Sequence, residues 1–191
     1  GQRRAVMSRP ADKPQPFYFA YGSNMNPAQI EARCRKPEVV ATARLPDHRL
    51  GFFGSSKIWD GGEESAQPEP GADLWGVVYR LSFHDAEILD TWQKVWLDGT
   101  GPYFHFPTQV FDAEGRNYPV LLYKRDVLGP RQKPSAPYLD HIIAGAMARA
   151  LPPPYIDLLR AIPTCQASTP VPRKASFNPE FFAGLACQCG D

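Results

Sequence analysis

Residues Phe17–Asn24 read FYFAYGSN, and Met25-Asn26-Pro27 follow at once. An aromatic, strand-favouring run that stops at Gly-Ser-Asn does not continue as a strand. Asn26-Pro27 then signals a helix start, with Asn as cap and Pro at the first helical position. The chain therefore passes from strand to helix through a stretch of little side-chain bulk. Gly22 lets the main chain approach a ligand, Ser23 and Asn24 add short polar groups, and a helix start offers unpaired N–H groups. Such a turn suits a carboxylate, a phosphate or a developing oxyanion. The same residues also serve an ordinary strand-to-helix turn, so the motif alone leaves both readings open.

The remaining chain bounds the choice. At 191 residues, with 43% hydrophobic and 21% charged residues, it can bury one sizeable core. A net charge of +1 gives no argument for nucleic acid or for an anionic membrane surface. No apolar run reaches membrane-spanning length, and no signal-peptide pattern is present. Cys34, Cys165, Cys187 and Cys189 are too few for a disulfide framework and form no complete metal set. A reducing, cytosolic setting without metal or other cofactor is the expectation.

Period and punctuation give the elements. Phe17–Tyr21 reads as a buried strand, followed by a short helix to about Arg35. Val39–Leu45 and His48–Phe53 read as strands bent at Pro46-Asp47, and Leu74–Leu81 as another. The glycine-, proline- and acid-rich segment Gly54–Ala72 reads as a long loop. Phe83–Trp96 has helical spacing, Tyr103–Phe111 and Tyr118–Tyr123 form a hairpin, and Tyr138–Ala150 and Pro154–Ile162 read as late helices. The fold class is α+β: one domain of five to seven strands curled into a small mixed barrel flanked by helices. Residues 1–16 read as a disordered arm, 17–163 as the domain, and 164–191 as a proline- and cysteine-containing extension with an apolar island at Phe181–Leu185.

With these residues in hand, a resemblance becomes specific. FYFAYGSNM resembles the hallmark of the γ-glutamylcyclotransferase-like superfamily, which includes AIG2-like proteins. ATARLPDHRL, IWDGG, LWGVVYRL, EILD and SAPYLDHIIAGAMARALPPPYIDLLRAI follow in that family's order and spacing. The resemblance runs from about Phe17 to Pro163. It implies a cofactor-free reaction, in which the α-amine of a γ-glutamyl compound attacks its own γ-carbonyl, expels an amine and leaves 5-oxoproline. It also implies that the YGSN turn cradles the glutamyl unit and that one glutamate on the middle helix shuttles the proton.

The chain departs from that pattern where chemistry needs it most. The family pattern resembles LDxxEG, whereas this chain reads Leu89-Asp90-Thr91-Trp92-Gln93-Lys94. The glutamate position is thus Gln93, and an amide neither takes nor gives a proton near neutral pH. The stretch up to Tyr103, which resembles a pocket tyrosine of the family, is also about three residues longer than usual and carries Asp98.

Three readings follow. Asp98 or Asp90 could replace the missing acid and preserve cyclotransfer. Alternatively, the pocket performs a cyclisation, isomerisation or elimination on a small, largely apolar or aromatic molecule of specialised metabolism. There Gln93 orients the substrate, and proton transfer falls to Tyr103, Tyr138, His105 or Asp98. In the third reading the pocket only binds. The second is the sequence's main expectation, on the ground of an aromatic-rich cleft with few charges. The site expected is Gln93, Asp98, Tyr103 and Tyr138 with Tyr21, Gly22, Ser23, Asn24 and Met25, acting on a small molecule. A dimer is left open.

Overall fold

The computed structural model describes residues 16–95 and 101–172. Five strands close into a barrel: β1 (Phe17–Ala20), β2 (Glu38–Ser56), β3 (Gly61–Arg80), β4 (Tyr103–Phe111) and β5 (Asn117–Arg125). Their order around the barrel is β1-β3-β2-β4-β5. The β1–β5 pairing that closes it is parallel, with Phe17 opposite Val120, and the other pairings are antiparallel. Among the described residues four helices surround it: α1 (Pro27–Arg33), α2 (Phe83–Trp92), α3 (Ala136–Ala148) and α4 (Pro153–Arg160). This agrees with the α+β barrel expected from the sequence.

The long loop expected at Gly54–Ala72 is not a loop. It forms the far half of a hairpin between β2, of 19 residues, and β3, of 20 residues. Pairing continues from His48–Pro68 to Ser56–Gly61. Glycine, proline and acid discouraged a strand assignment there, but a neighbouring backbone supplies what local propensity does not. The bend expected at Pro46-Asp47 is a register shift within continuous β2, with Asp47 at φ 57°. Asp47 Oδ1 accepts a bond of 2.9 Å from Gly71 N, tying the irregularity to the partner strand. Such bulges let long strands coil around a small barrel.

α1, α2 and α3 begin where side-chain oxygens cap them, whereas α4 starts after Pro152 without a side-chain cap. Asn26, Ser82 and Ser135 accept from Ala28 N, Asp85 N and Tyr138 N respectively. α2 stops at Trp92, earlier than the apolar spacing implies, because Lys94 turns left-handed at φ 55°. Phe19, Met25, Ile30, Leu74, Val77, Leu89, Leu122, Tyr138 and Ile142 meet in one core that joins the barrel to the helices. Among the described residues, no helix is long and apolar enough to cross a membrane.

α3 fixes the turn after β1. A Cβ on Gly145 would lie 2.6 Å from Asn26 N, so only glycine lets the helix come this near that backbone. His141 Nε2 pairs with Gln29 Oε1 at 2.8 Å, and His141 O accepts from Asn26 Nδ2 at 3.2 Å.

Candidate functional site

The turn expected to cradle a ligand is held from behind. Residues Ser23–Met25 form a single turn of tight helix, all three buried. Tyr79 OH donates to Asn24 O at 2.8 Å, and Gln29 Nε2 donates to both Ser23 Oγ and Asn24 Oδ1 at 2.8 Å. Arg33 Nη1 adds a bond of 3.0 Å to Asn24 Oδ1, and Asn24 Nδ2 donates to Tyr18 OH at 3.0 Å. The Asn24 side chain therefore braces the turn against α1 and β1. Met25 is core, and the Tyr21 hydroxyl donates to the carbonyl of Tyr123. The first N–H of α1 expected to face a ligand, that of Ala28, is taken by Asn26 Oδ1 at 3.0 Å. The N–H of Ser23 is directed outward from the turn, over the bare face of Gly22.

A carboxylate already sits there. Ser23 N donates to Glu64 Oε1 at 2.8 Å, and the Tyr138 hydroxyl donates to the same oxygen at 2.6 Å. The Tyr138 oxygen also accepts from Glu64 N at 3.3 Å, and Tyr103 OH donates to Glu64 O at 2.6 Å. Of the three tyrosines expected in the site, Tyr103 and Tyr138 thus meet on one residue that the sequence does not single out, while Tyr21 does not. Burial, more than the neighbouring carboxylates, raises the Tyr103 and Tyr138 pKa values well above the ordinary phenol value. Their hydroxyls consequently stay protonated and donate. Trp59 stacks on Tyr138 with ring centroids 4.3 Å apart, fixing the direction of that hydroxyl.

Gln93 lines the same cleft, together with Ser23, Arg33, Trp59, Glu63, Glu64, Lys94, Tyr103 and Tyr138. The helix ends at Trp92 and Lys94 turns left-handed, so Gln93 is the C-cap of α2 rather than a residue along its face. Arg33 lies over the Trp92 ring at 4.9 Å. Glu63 pairs with Arg125 at 3.0 Å. Burial raises the Glu63 pKa, with Lys94 and Arg125 acting in the opposite direction. The cleft holds about 30 Å³ of free space, with the Glu64 carboxylate against Gly22.

Two expectations are corrected by this geometry. The cleft is not sparsely charged: two glutamates, an arginine and a lysine line it, which removes the basis for an apolar substrate. The view that an acid is missing from the pocket also fails, because Glu64 reaches beneath the glycine turn from β3. Glu64 lies in the segment Gly54–Ala72, whose composition is that of a loop. The available signal was Glu63-Glu64 directly after the IWDGG block. Asp90 faces away from the cleft and binds His105, as its position off the apolar stripe of α2 implied. Asp98 and Trp96 lie outside the described residues, as do the arm through Gln15, Cys187, Cys189 and the island Phe181–Leu185. Among the described residues no group of metal-ligating side chains is assembled.

Comparison with known proteins places this architecture. Residues 73–159 match the model of the AIG2-like family. The human γ-glutamylcyclotransferase is 32% identical over 155 residues, covering 76% of this chain and 78% of that protein. The mouse γ-glutamylcyclotransferase gives the same identity and coverage. A solved structure titled γ-glutamyl cyclotransferase superposes with a TM-score of 0.77 at 30% identity, over 83% of this chain and 94% of that one. With the barrel, the braced glycine turn and this extent of likeness together, the chain belongs to the γ-glutamylcyclotransferase family.

Proposed function

We propose that this protein is a γ-glutamyl cyclotransferase that releases 5-oxoproline and an amine, and that Glu64 carries the proton. The observation behind this reading is the carboxylate of Glu64 on Ser23 N, inside the cleft lined by Gln93, Tyr103 and Tyr138. The relatives named γ-glutamylcyclotransferase favour cyclotransfer over the specialised cyclisation, isomerisation or elimination expected from the sequence.

The residues divide the work as follows. The substrate takes the Ser23 N–H for its γ-carbonyl oxygen, and the Glu64 carboxylate leaves that N–H while keeping the Tyr138 hydroxyl. The amine of the glutamyl unit then attacks its own γ-carbonyl, an intramolecular step that needs orientation more than force. Glu64 takes the ammonium proton and hands it to the leaving amine as the C–N bond breaks. The Ser23 N–H stabilises the oxyanion formed between those events. Gln93 supplies an amide that orients the substrate and transfers no proton.

The test is direct. Incubation with γ-glutamyl dipeptides and with glutathione should release 5-oxoproline in step with free amine. Absence of 5-oxoproline from every γ-glutamyl substrate would overturn the proposal.

A further inference from the structure

A second cavity lies on the other side of α2, enclosed by β1, β5 and that helix, with a volume of about 460 Å³. None of its lining residues lines the cleft at the glycine turn. Tyr18 stands between the two: its hydroxyl accepts from Asn24 in the turn, while its ring packs on Tyr123 at 5.3 Å. The volume falls in the range of small-ligand sites, roughly 300–1,000 Å³, whose walls are mostly apolar with a few converging polar groups.

This cavity has that composition. Phe17, Leu81, Phe83 and Leu121 supply apolar wall, and Phe83 remains 64% exposed at the rim. The polar groups gather at one place. Asp90 Oδ1 accepts from His105 Nε2 at 2.7 Å and from the Tyr123 hydroxyl at 2.5 Å. Both bonds end on Oδ1, and Oδ2 takes neither. Glu87 lines the cavity three residues earlier on the same helix. Two carboxylates against one imidazole leave the polar end negative even when His105 is protonated. Aromatic faces beside that negative end favour a cation attached to a flat apolar body.

We infer that this cavity binds a small amphipathic amine, with its ring among Phe17, Tyr18, Phe83 and Leu121 and its ammonium on Asp90 and Glu87. The inference rests on the cavity and stands apart from the cyclotransferase reading. Cavities that are merely gaps in packing lack a directed carboxylate at one end. Here the buried hydroxyl of Tyr123 and the imidazole of His105 hold the Asp90 carboxylate in one orientation.

The experiment is a titration of the full chain with 2-phenylethylamine, followed by calorimetry and by amide chemical shifts. Parallel titrations use 3-phenylpropionate, which keeps the ring and reverses the charge. Saturable binding of the amine is expected, with shifts at Leu121, Leu122 and Asp90 rather than at Ser23 and Glu64. Asp90→Asn should weaken it by about tenfold or more, the scale of one lost charged contact. Leu121→Trp, which fills the cavity with a larger side chain, should abolish it in protein whose thermal transition is retained. Equal binding of 3-phenylpropionate, shifts confined to the glycine turn, or no saturation with the amine would each overturn the inference.

Discussion

The Glu64 carboxylate rests on Gly22 so closely that a Cβ on that glycine would stand 1.4 Å from Oε2. Gly22→Ala should therefore act by displacing the Glu64 side chain. Expelling the carboxylate breaks its bonds to Ser23 N and Tyr138, at an expected cost of about 1–3 kcal/mol. Adding Glu64→Ala should cost little more, because the same bonds are already broken, so the two substitutions are non-additive. Denaturant midpoints of the two single variants and the double variant measure this coupling. Simple additivity would show that the carboxylate does not occupy the turn.

Gly145 tests the support behind the turn. Its α-carbon leaves no room for a methyl group against the Asn26 backbone, which cannot move as a side-chain tip would. Gly145→Ala should destabilise the protein by about 1–3 kcal/mol through overpacking. It should also lower turnover beyond the effect of stability, because α3 sets the position of Ser23 N relative to Tyr138. Thermal unfolding and steady-state kinetics on the folded variant separate these effects. Unchanged kinetics would show that the turn does not depend on α3.

His105 gives a pH signature outside the cleft. Its hydrogen bond to Asp90 raises its pKa above the ordinary value of 6.5, against the lowering effect of burial. The unfolded chain has the ordinary value, so the folded state binds the proton more tightly. The stabilisation is fully present below about pH 6.5 and is lost as pH rises through the folded pKa. The pair is partly exposed, with side chains 38% and 31% accessible, so the difference should be within about 0.2–1 kcal/mol. The stability of the wild type relative to Asp90→Asn, measured from pH 5 to pH 9, should fall with rising pH. A flat or rising difference would contradict the pairing.

Much of the fold was legible because local signals and tertiary structure agree. Asn26-Pro27 marks a helix start, and the hairpin of Tyr103–Phe111 with Tyr118–Tyr123 alternates as strands do. Tyr103, Tyr138 and Ser23 meet on Glu64; Ser23 and Tyr138 lie in blocks of family likeness, and Tyr103 resembles a pocket tyrosine of the family. Glu64 was not legible for a physical reason. Strand formation from Gly61 to Gly71 comes from pairing with β2, while its own glycines, prolines and acids argue against a strand. Read as a loop, that segment gives its carboxylates no fixed direction, and a cleft without them favours an apolar substrate.

The account turns on one carboxylate, and the most direct measurement is the turnover of Glu64→Gln on a γ-glutamyl dipeptide that the wild type converts. Glutamine preserves the shape of the side chain and removes its proton chemistry. The account predicts that kcat falls by about 10²–10⁴-fold, the range of general acid–base catalysis. Gln93→Glu in that background should then recover part of the rate, by returning an acid to the same cleft. Undiminished 5-oxoproline release by Glu64→Gln would contradict the account.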